Sequence, residues 1–204
     1  MRSFAPTLLV MLTLAAPAGG TGIDPDLAFI YREMSLADPT PHSVTICHGF
    51  GCKYRTPIAV SESDRKKFIQ IMAGGRASPA AEREAVAAAI AWFQRRVAPE
   101  AGTARAVARA GATLSGERSQ FDCIDSSRNT TSTLLVLEQM KLLRYHRVRP
   151  PESRGYLIDL RLPHATAVLH DRRAGRDWAV DSWTHNNGEK PDVMPLSRWL
   201  SEGG

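Results

Sequence analysis

Three cysteines, Cys47, Cys52 and Cys123, constrain this chain more than any other feature, because an odd number of thiols cannot all be paired within one molecule. The constraint matters most in an oxidising compartment, and the N-terminus reads as an export signal. Arg2 precedes an apolar run over residues 8–16 that closes on Ala16-Pro17-Ala18, a small-x-small cleavage pattern. Residues 1–18 are therefore expected to be a signal peptide and residues 19–204 a single domain of periplasmic or secreted location. The apolar run is shorter than the roughly 20 residues that span a bilayer, and no later stretch is long and apolar enough to cross one.

Cys47 and Cys52 bracket His48-Gly49-Phe50-Gly51, a glycine-bearing turn between two short β-like stretches, Ser43-Val44-Thr45-Ile46 and Lys53-Tyr54-Arg55-Thr56-Pro57-Ile58. A hairpin folded on that turn brings the two sulfurs together, so a Cys47–Cys52 disulfide is expected. A metal site using His48 or His42 is the competing reading, but zinc takes four ligands and there is no second cysteine pair. With that bridge formed, Cys123 is left alone.

The formal charge of +5 is spread over the length without interleaved aromatics, which argues against nucleic-acid binding. Residues 27–31 are read as the start of a helix. Ser61 or Ser63 is placed to cap a helix through Lys67, Phe68, Ile71 and Met72, ended by Gly74-Gly75. Ser78-Pro79 opens a longer helix with an apolar stripe at Val86, Ile90, Phe93 and Val97. The glycine-punctuated residues 101–119 read as a connector able to cover a site. A helix over 126–145 carries Leu134, Leu137, Met140, Lys141 and Leu142, with Asp122, Asp125 and Ser126 as capping groups at its start. Strands are expected at 156–162, 164–170 and 176–183, with a turn at 171–175, and a short closing helix at 195–200.

Cys123 at a helix start gains from the positive end of the helix dipole, although Asp122 and Asp125 oppose a thiolate there. A hairpin turning near Arg173 puts His164 within one residue of Asp181 across the ladder, the relation by which a carboxylate orients a general base. Nucleophile, base and orienting acid thus stand in chain order as Cys123, His164 and Asp181. His170 and His185 are alternative bases, and Asn186 or Asn187 alternative orienting groups. The tryptophans Trp178, Trp183 and Trp199 read as packing, and Asn129-Thr130-Thr131 as a chance match to a glycosylation acceptor inside a helix.

Asp122-Cys123-Ile124-Asp125, Pro163-His164-Ala165-Thr166-Ala167-Val168 and Trp178-Ala179-Val180-Asp181-Ser182 together resemble the transglutaminase-like cysteine peptidases, bacterial periplasmic members in particular, over residues 119–183. The resemblance implies an α+β fold with a papain-like core, in which the nucleophile helix packs on an antiparallel sheet beside the N-terminal hairpin and helices. It implies Cys123 as nucleophile, His164 as base and Asp181 as the orienting carboxylate. Gln120 is the nearest side-chain candidate for an oxyanion donor, and the Cys123 backbone N–H is another. The expected function is that of a thiol hydrolase or acyltransferase acting on amide bonds of a protein or peptide substrate, such as a cell-envelope protein, with no cofactor required. Hydrolysis and cross-linking stay open, as does calcium dependence. The alternative is an inactive binding or assembly protein of the same fold. A thiol redox protein is disfavoured, since no Cys-x-x-Cys pair is present.

Overall fold

The computed structural model describes residues 23–155 and 163–202; the expected signal segment at 1–18 and the expected strand at 156–162 lie outside the described residues. The fold is α+β, with two antiparallel sheets. Helix α1 spans Pro25–Glu33, capped by Asp24, and buries Leu27 and Tyr31 one turn apart. Strands β1 (Ser43–His48) and β2 (Tyr54–Ala59) pair in a two-stranded hairpin. Helix α2 (Glu62–Met72) begins at Ser61, whose hydroxyl accepts the Asp64 N–H while Asp64 reaches back to the Ser61 N–H. A 3₁₀ turn over Ala73–Ala77 carries the two glycines expected to end that helix.

Helix α3 (Pro79–Ala101) is capped by Ser78, starts on proline and closes on Gly102 in the left-handed conformation, φ 71°. Its Val86, Ile90, Phe93 and Val97 stripe is buried. Helix α4 (Cys123–Gln139) is the axis of the molecule, with twelve of its seventeen residues buried. Its hydroxyl-rich middle is satisfied internally. Tyr31 and Ser132 share a 2.7 Å hydrogen bond, Thr130 meets Ser182 at 2.8 Å, and Asn129 makes two bonds with the Cys47 backbone, both at 2.8 Å. Asn129 is thus inside the protein, away from any glycosylating enzyme.

The helix ends earlier than its apolar pattern suggests. Lys141 takes a left-handed φ of 58°, its N–H bonding Glu138 O and the Leu142 N–H bonding Leu137 O, a Schellman closure. No glycine marks this end, so Lys141 and Leu142 continue the pattern in sequence while lying outside the helix.

The second sheet runs in the order β3 (His146–Arg154), β4 (His164–Asp171), β5 (Arg176–Asp181), β6 (Asp192–Pro195), all antiparallel. Strands β3 and β6 were not expected from sequence. β3 carries Pro150-Pro151, which give up two ladder donors; the register shifts there, between Arg149 and Glu152, and the strand lies at the sheet edge. Ala167, Leu169 and Val180 pack on the α4 side of the sheet. Val168 and Ala179 face the other way, under Leu196 and Trp199 of helix α5 (Leu196–Ser201). No helix among the described residues is long and apolar enough to cross a membrane.

Candidate active site

The Asp-Cys-x-Asp motif is a clamp built around its cysteine. Asp122 is the N-cap of α4, its Oδ1 accepting the Asp125 N–H at 2.8 Å, and Cys123 is the first helical residue. The remaining carboxylate oxygens hold the β1–β2 turn. Gly51 N–H donates to Asp122 Oδ2 at 2.8 Å, Phe50 N–H to Asp125 Oδ2 at 2.8 Å and Cys52 N–H to Asp125 Oδ1 at 2.6 Å. Residues 49 to 52 all have positive φ, between 58° and 80°, a left-handed turn that points successive N–H groups the same way. For Phe50 and Cys52 that conformation costs about 1–2 kcal/mol each, offset by the hydrogen bonds their N–H groups make to Asp125. Gly49 admits no side chain, because a Cβ there meets the Tyr54 ring at 2.4 Å.

The Cys47–Cys52 disulfide closes this turn. Cys47, Cys52 and Asp125 offer ligand atoms within 4.8 Å of one another, but both sulfurs are in the bridge and both carboxylate oxygens already accept N–H groups. Asp125 is fully buried, and burial beside the Asp122 charge pushes its carboxyl up to about 7 against the pull of those donors.

Cys123 is the free cysteine and is partly exposed. Its Sγ lies 3.9 Å from Pro163 O and also meets the Ala165 N–H, so the thiol sits against the backbone on both sides of His164. The helix start alone suggests an acidic thiol, but the balance goes the other way. Burial pushes the Cys123 thiol up, the Ala165 N–H pulls it down, and the Asp122 and Asp181 charges add to the rise.

His164 and Asp181 meet, Nε2 to Oδ2 at 2.6 Å. The register that brings them together differs from the expected one. Ala167 pairs with Val180, which sets His164 two residues from the level of Asp181 instead of within one. An offset of two keeps both side chains on one face, and a diagonal neighbour is within reach of an imidazole. His164 Nδ1 is buried and makes no hydrogen bond among the described residues. Asp181 is held further: Trp199 Nε1 donates to Oδ2 at 2.9 Å and the Trp183 N–H to Oδ1 at 3.2 Å. The Trp183 and Trp199 rings lie against His164 at centroid distances of 4.9 and 5.3 Å.

Trp199 is the residue that sequence reasoning missed. It sits on the last helix, with Arg154 stacked over its ring at 4.2 Å, and nothing in its spacing points to Asp181. Gln120 is occupied elsewhere. Its Oε1 accepts the Val107 N–H, and its Nε2 donates to Arg105 O and Ser119 Oγ, which ties the 103–109 strap to the chain just before Cys123. The other candidate bases have carboxylates of their own: His170 pairs with Asp177 at 2.7 Å and His185 with Asp192 at 3.0 Å. Asn186 and Asn187 hold the same strap, accepting from Ala108 N–H and donating to Thr103 O. Comparison with family models, curated proteins and solved structures returns no match for this chain, and what the site can do is carried by its own geometry.

Proposed function

We propose that this chain is an exported cysteine-nucleophile enzyme acting on amide bonds, of the transglutaminase-like kind, with Cys123, His164 and Asp181 as its triad. The observation that carries the reading is the buried Nδ1 of His164, without a partner among the described residues, on a ring whose Nε2 is already given to Asp181 and whose flanking backbone touches the thiol. A proton on Nε2, facing the carboxylate, leaves the Nδ1 lone pair as the base.

In this reading Nδ1 takes the Cys123 proton and the sulfur attacks the amide carbonyl carbon. The tetrahedral intermediate collapses to a thioester as His164 returns the proton to the departing amine nitrogen. Water or a second amine then attacks the thioester, again with His164 as base, and frees the sulfur. The Cys123 N–H, in the first turn of α4 without a helical acceptor, is the oxyanion donor that fits best, since the Gln120 amide is engaged. The raised thiol makes Cys123 a protonated resting nucleophile, ionised by transfer to His164 as substrate excludes water.

That same raised thiol favours the second reading, a binding or assembly protein that keeps the fold without the chemistry. The rate of Cys123 alkylation against pH separates the two. An enzyme requires a rate at neutral pH that drops when His164 is replaced by Ala. A slow thiol indifferent to His164 means a binding protein, and a dimer linked through Cys123 on non-reducing electrophoresis points the same way.

A further inference from the structure

Among the described residues, the guanidinium of Arg128 on α4 is a largely buried charge without a counter-charge. Its Nε and Nη1 are buried and have no hydrogen-bond partner there, and the one ionisable group that bears on it is Tyr31. Tyr31 supplies no negative charge, because burial pushes its phenol up and its hydroxyl shares a hydrogen bond with Ser132. Two other part-buried arginines are treated differently. The Arg83 guanidinium lies 3.5 Å over the Trp178 ring with Asp171 at 3.7 Å, and Arg96 meets Asp64 at 2.9 Å and Glu100 besides. A guanidinium keeps its charge throughout the working pH range, and taking a charge out of water without a partner is strongly unfavourable.

The place of Arg128 on the helix points to a ligand. Ile124, Arg128 and Ser132 follow one another at four-residue spacing and share a face of α4. Ile124, next to Cys123, is 41 % exposed. Arg128 stands five residues after the cysteine, about 7.5 Å further along the helix axis. It is part-exposed, while two of its three guanidinium nitrogens are buried.

The planar fork of a guanidinium fits the two oxygens of a carboxylate. No second cation bears on Arg128 among the described residues, so the site balances a single negative charge, as a carboxylate has, and not a phosphate dianion. We propose that Arg128 is a carboxylate-binding site on the nucleophile helix, and that the carboxylate it takes belongs to the substrate, on a side chain or at the chain end beside the attacked amide. The second half of the proposal rests on Cys123 being the nucleophile; the first half does not.

Stability tests the first half. Arg128→Met keeps an apolar stem and removes the charge, and without added carboxylate its urea midpoint is expected to lie above that of the wild-type protein. Acetate, set against sodium chloride at equal ionic strength, is expected to raise the wild-type midpoint saturably and to leave that of Arg128→Met where it was. A lowered midpoint in Arg128→Met means that the chain itself pairs the guanidinium, and it overturns the site whatever Cys123 does. So does an acetate response that is absent or shared by both proteins. Labelling tests the second half. Peptidyl electrophiles carrying Glu, or a free terminal carboxylate, are expected to label Cys123 about tenfold faster than their Gln or terminal-amide counterparts, the worth of a charge-assisted hydrogen bond. In Arg128→Met the ratio is expected to fall to one. A preference confined to the Glu compounds assigns the site to a side chain, and one confined to the terminal acids assigns it to the chain end. Equal rates for acid and amide, or a preference that survives Arg128→Met, overturn the substrate role, while His164-dependent iodoacetamide labelling of the wild-type protein upholds the nucleophile by itself.

Discussion

Two buried histidine–carboxylate pairs of almost the same dimensions sit in different regions of this molecule and differ in how fully their groups are paired. His146 at the start of β3 meets Glu82 of α3 at 2.8 Å, and His164 at the start of β4 meets Asp181 of β5 at 2.6 Å. The first pair is saturated. Glu82 also accepts the N–H groups of Arg144, Tyr145 and His146, and the second nitrogen of His146 faces Arg83 Nη1 at 3.3 Å. Burial pushes the Glu82 carboxyl up, but His146 and these donors outweigh it and hold it below the usual carboxylate range. In the second pair the carboxylate is equally surrounded, by two indole-bearing residues, yet one imidazole nitrogen has no partner among the described residues and the Cys123 thiol lies against the backbone on both sides of the histidine. Burial and a short distance are common to both pairs; what sets the second apart is an imidazole nitrogen without a partner among the described residues.

Breaking the structural pair should produce the largest stability effect. Glu82→Ala leaves three backbone donors and a histidine without their acceptor and should cost about 3–5 kcal/mol, read from urea unfolding. The folded fraction should still show His164-dependent alkylation of Cys123; a loss of that dependence would join the two pairs into one system and undo the contrast. The converse change, Asp181→Asn, should slow Cys123 alkylation at neutral pH about tenfold, because the imidazole loses the carboxylate that orients it as a base. Its stability loss should stay smaller than that of Glu82→Ala, and His146→Gln should leave the alkylation rate alone.

The carboxylates themselves sharpen the contrast through pH. Asp125, raised in the folded protein to about 7 from an ordinary 3.8, holds its proton in the fold where the unfolded chain has lost it. Its contribution is therefore present at low pH and is lost as pH rises from about 4 to about 7. Glu82, lowered, has the opposite sign: its contribution is present above the ordinary glutamate pKa and is lost as pH falls below it. Urea midpoints across pH should show both slopes, with Asp125→Asn removing only the one at 4 to 7. The smallest effect belongs to Trp199→Phe, which keeps the ring and deletes one donor to Asp181. It should cost about 1 kcal/mol of stability and slow alkylation a few-fold; an unchanged rate would make Trp199 mere packing.

Much of the local architecture was legible because it depends on neighbours in the chain. Ser61 and Ser78 cap their helices, Pro79 opens α3, and the glycines between Cys47 and Cys52 allow the turn that their disulfide closes. The end of α4 was not legible, since Lys141 adopts a conformation usually left to glycine. The register of β4 on β5 was legible only to within two residues, because a turn rich in small and charged residues does not specify its own geometry.

The sequence by itself determined the order of a cysteine at a helix start, a histidine and an aspartate on consecutive strands, and the pairing of the other two cysteines, because capping, turn chemistry and alternation act over a few residues. Only the tertiary structure decided that the flanking aspartates spend their acceptor oxygens on the hairpin turn, that Gln120 serves the strap, that Trp199 reaches Asp181, and that the Cys123 thiol is raised instead of lowered. Those outcomes turn on which groups burial brings within hydrogen-bond distance and which charges it strips of water, and both are set by segments far apart in the chain.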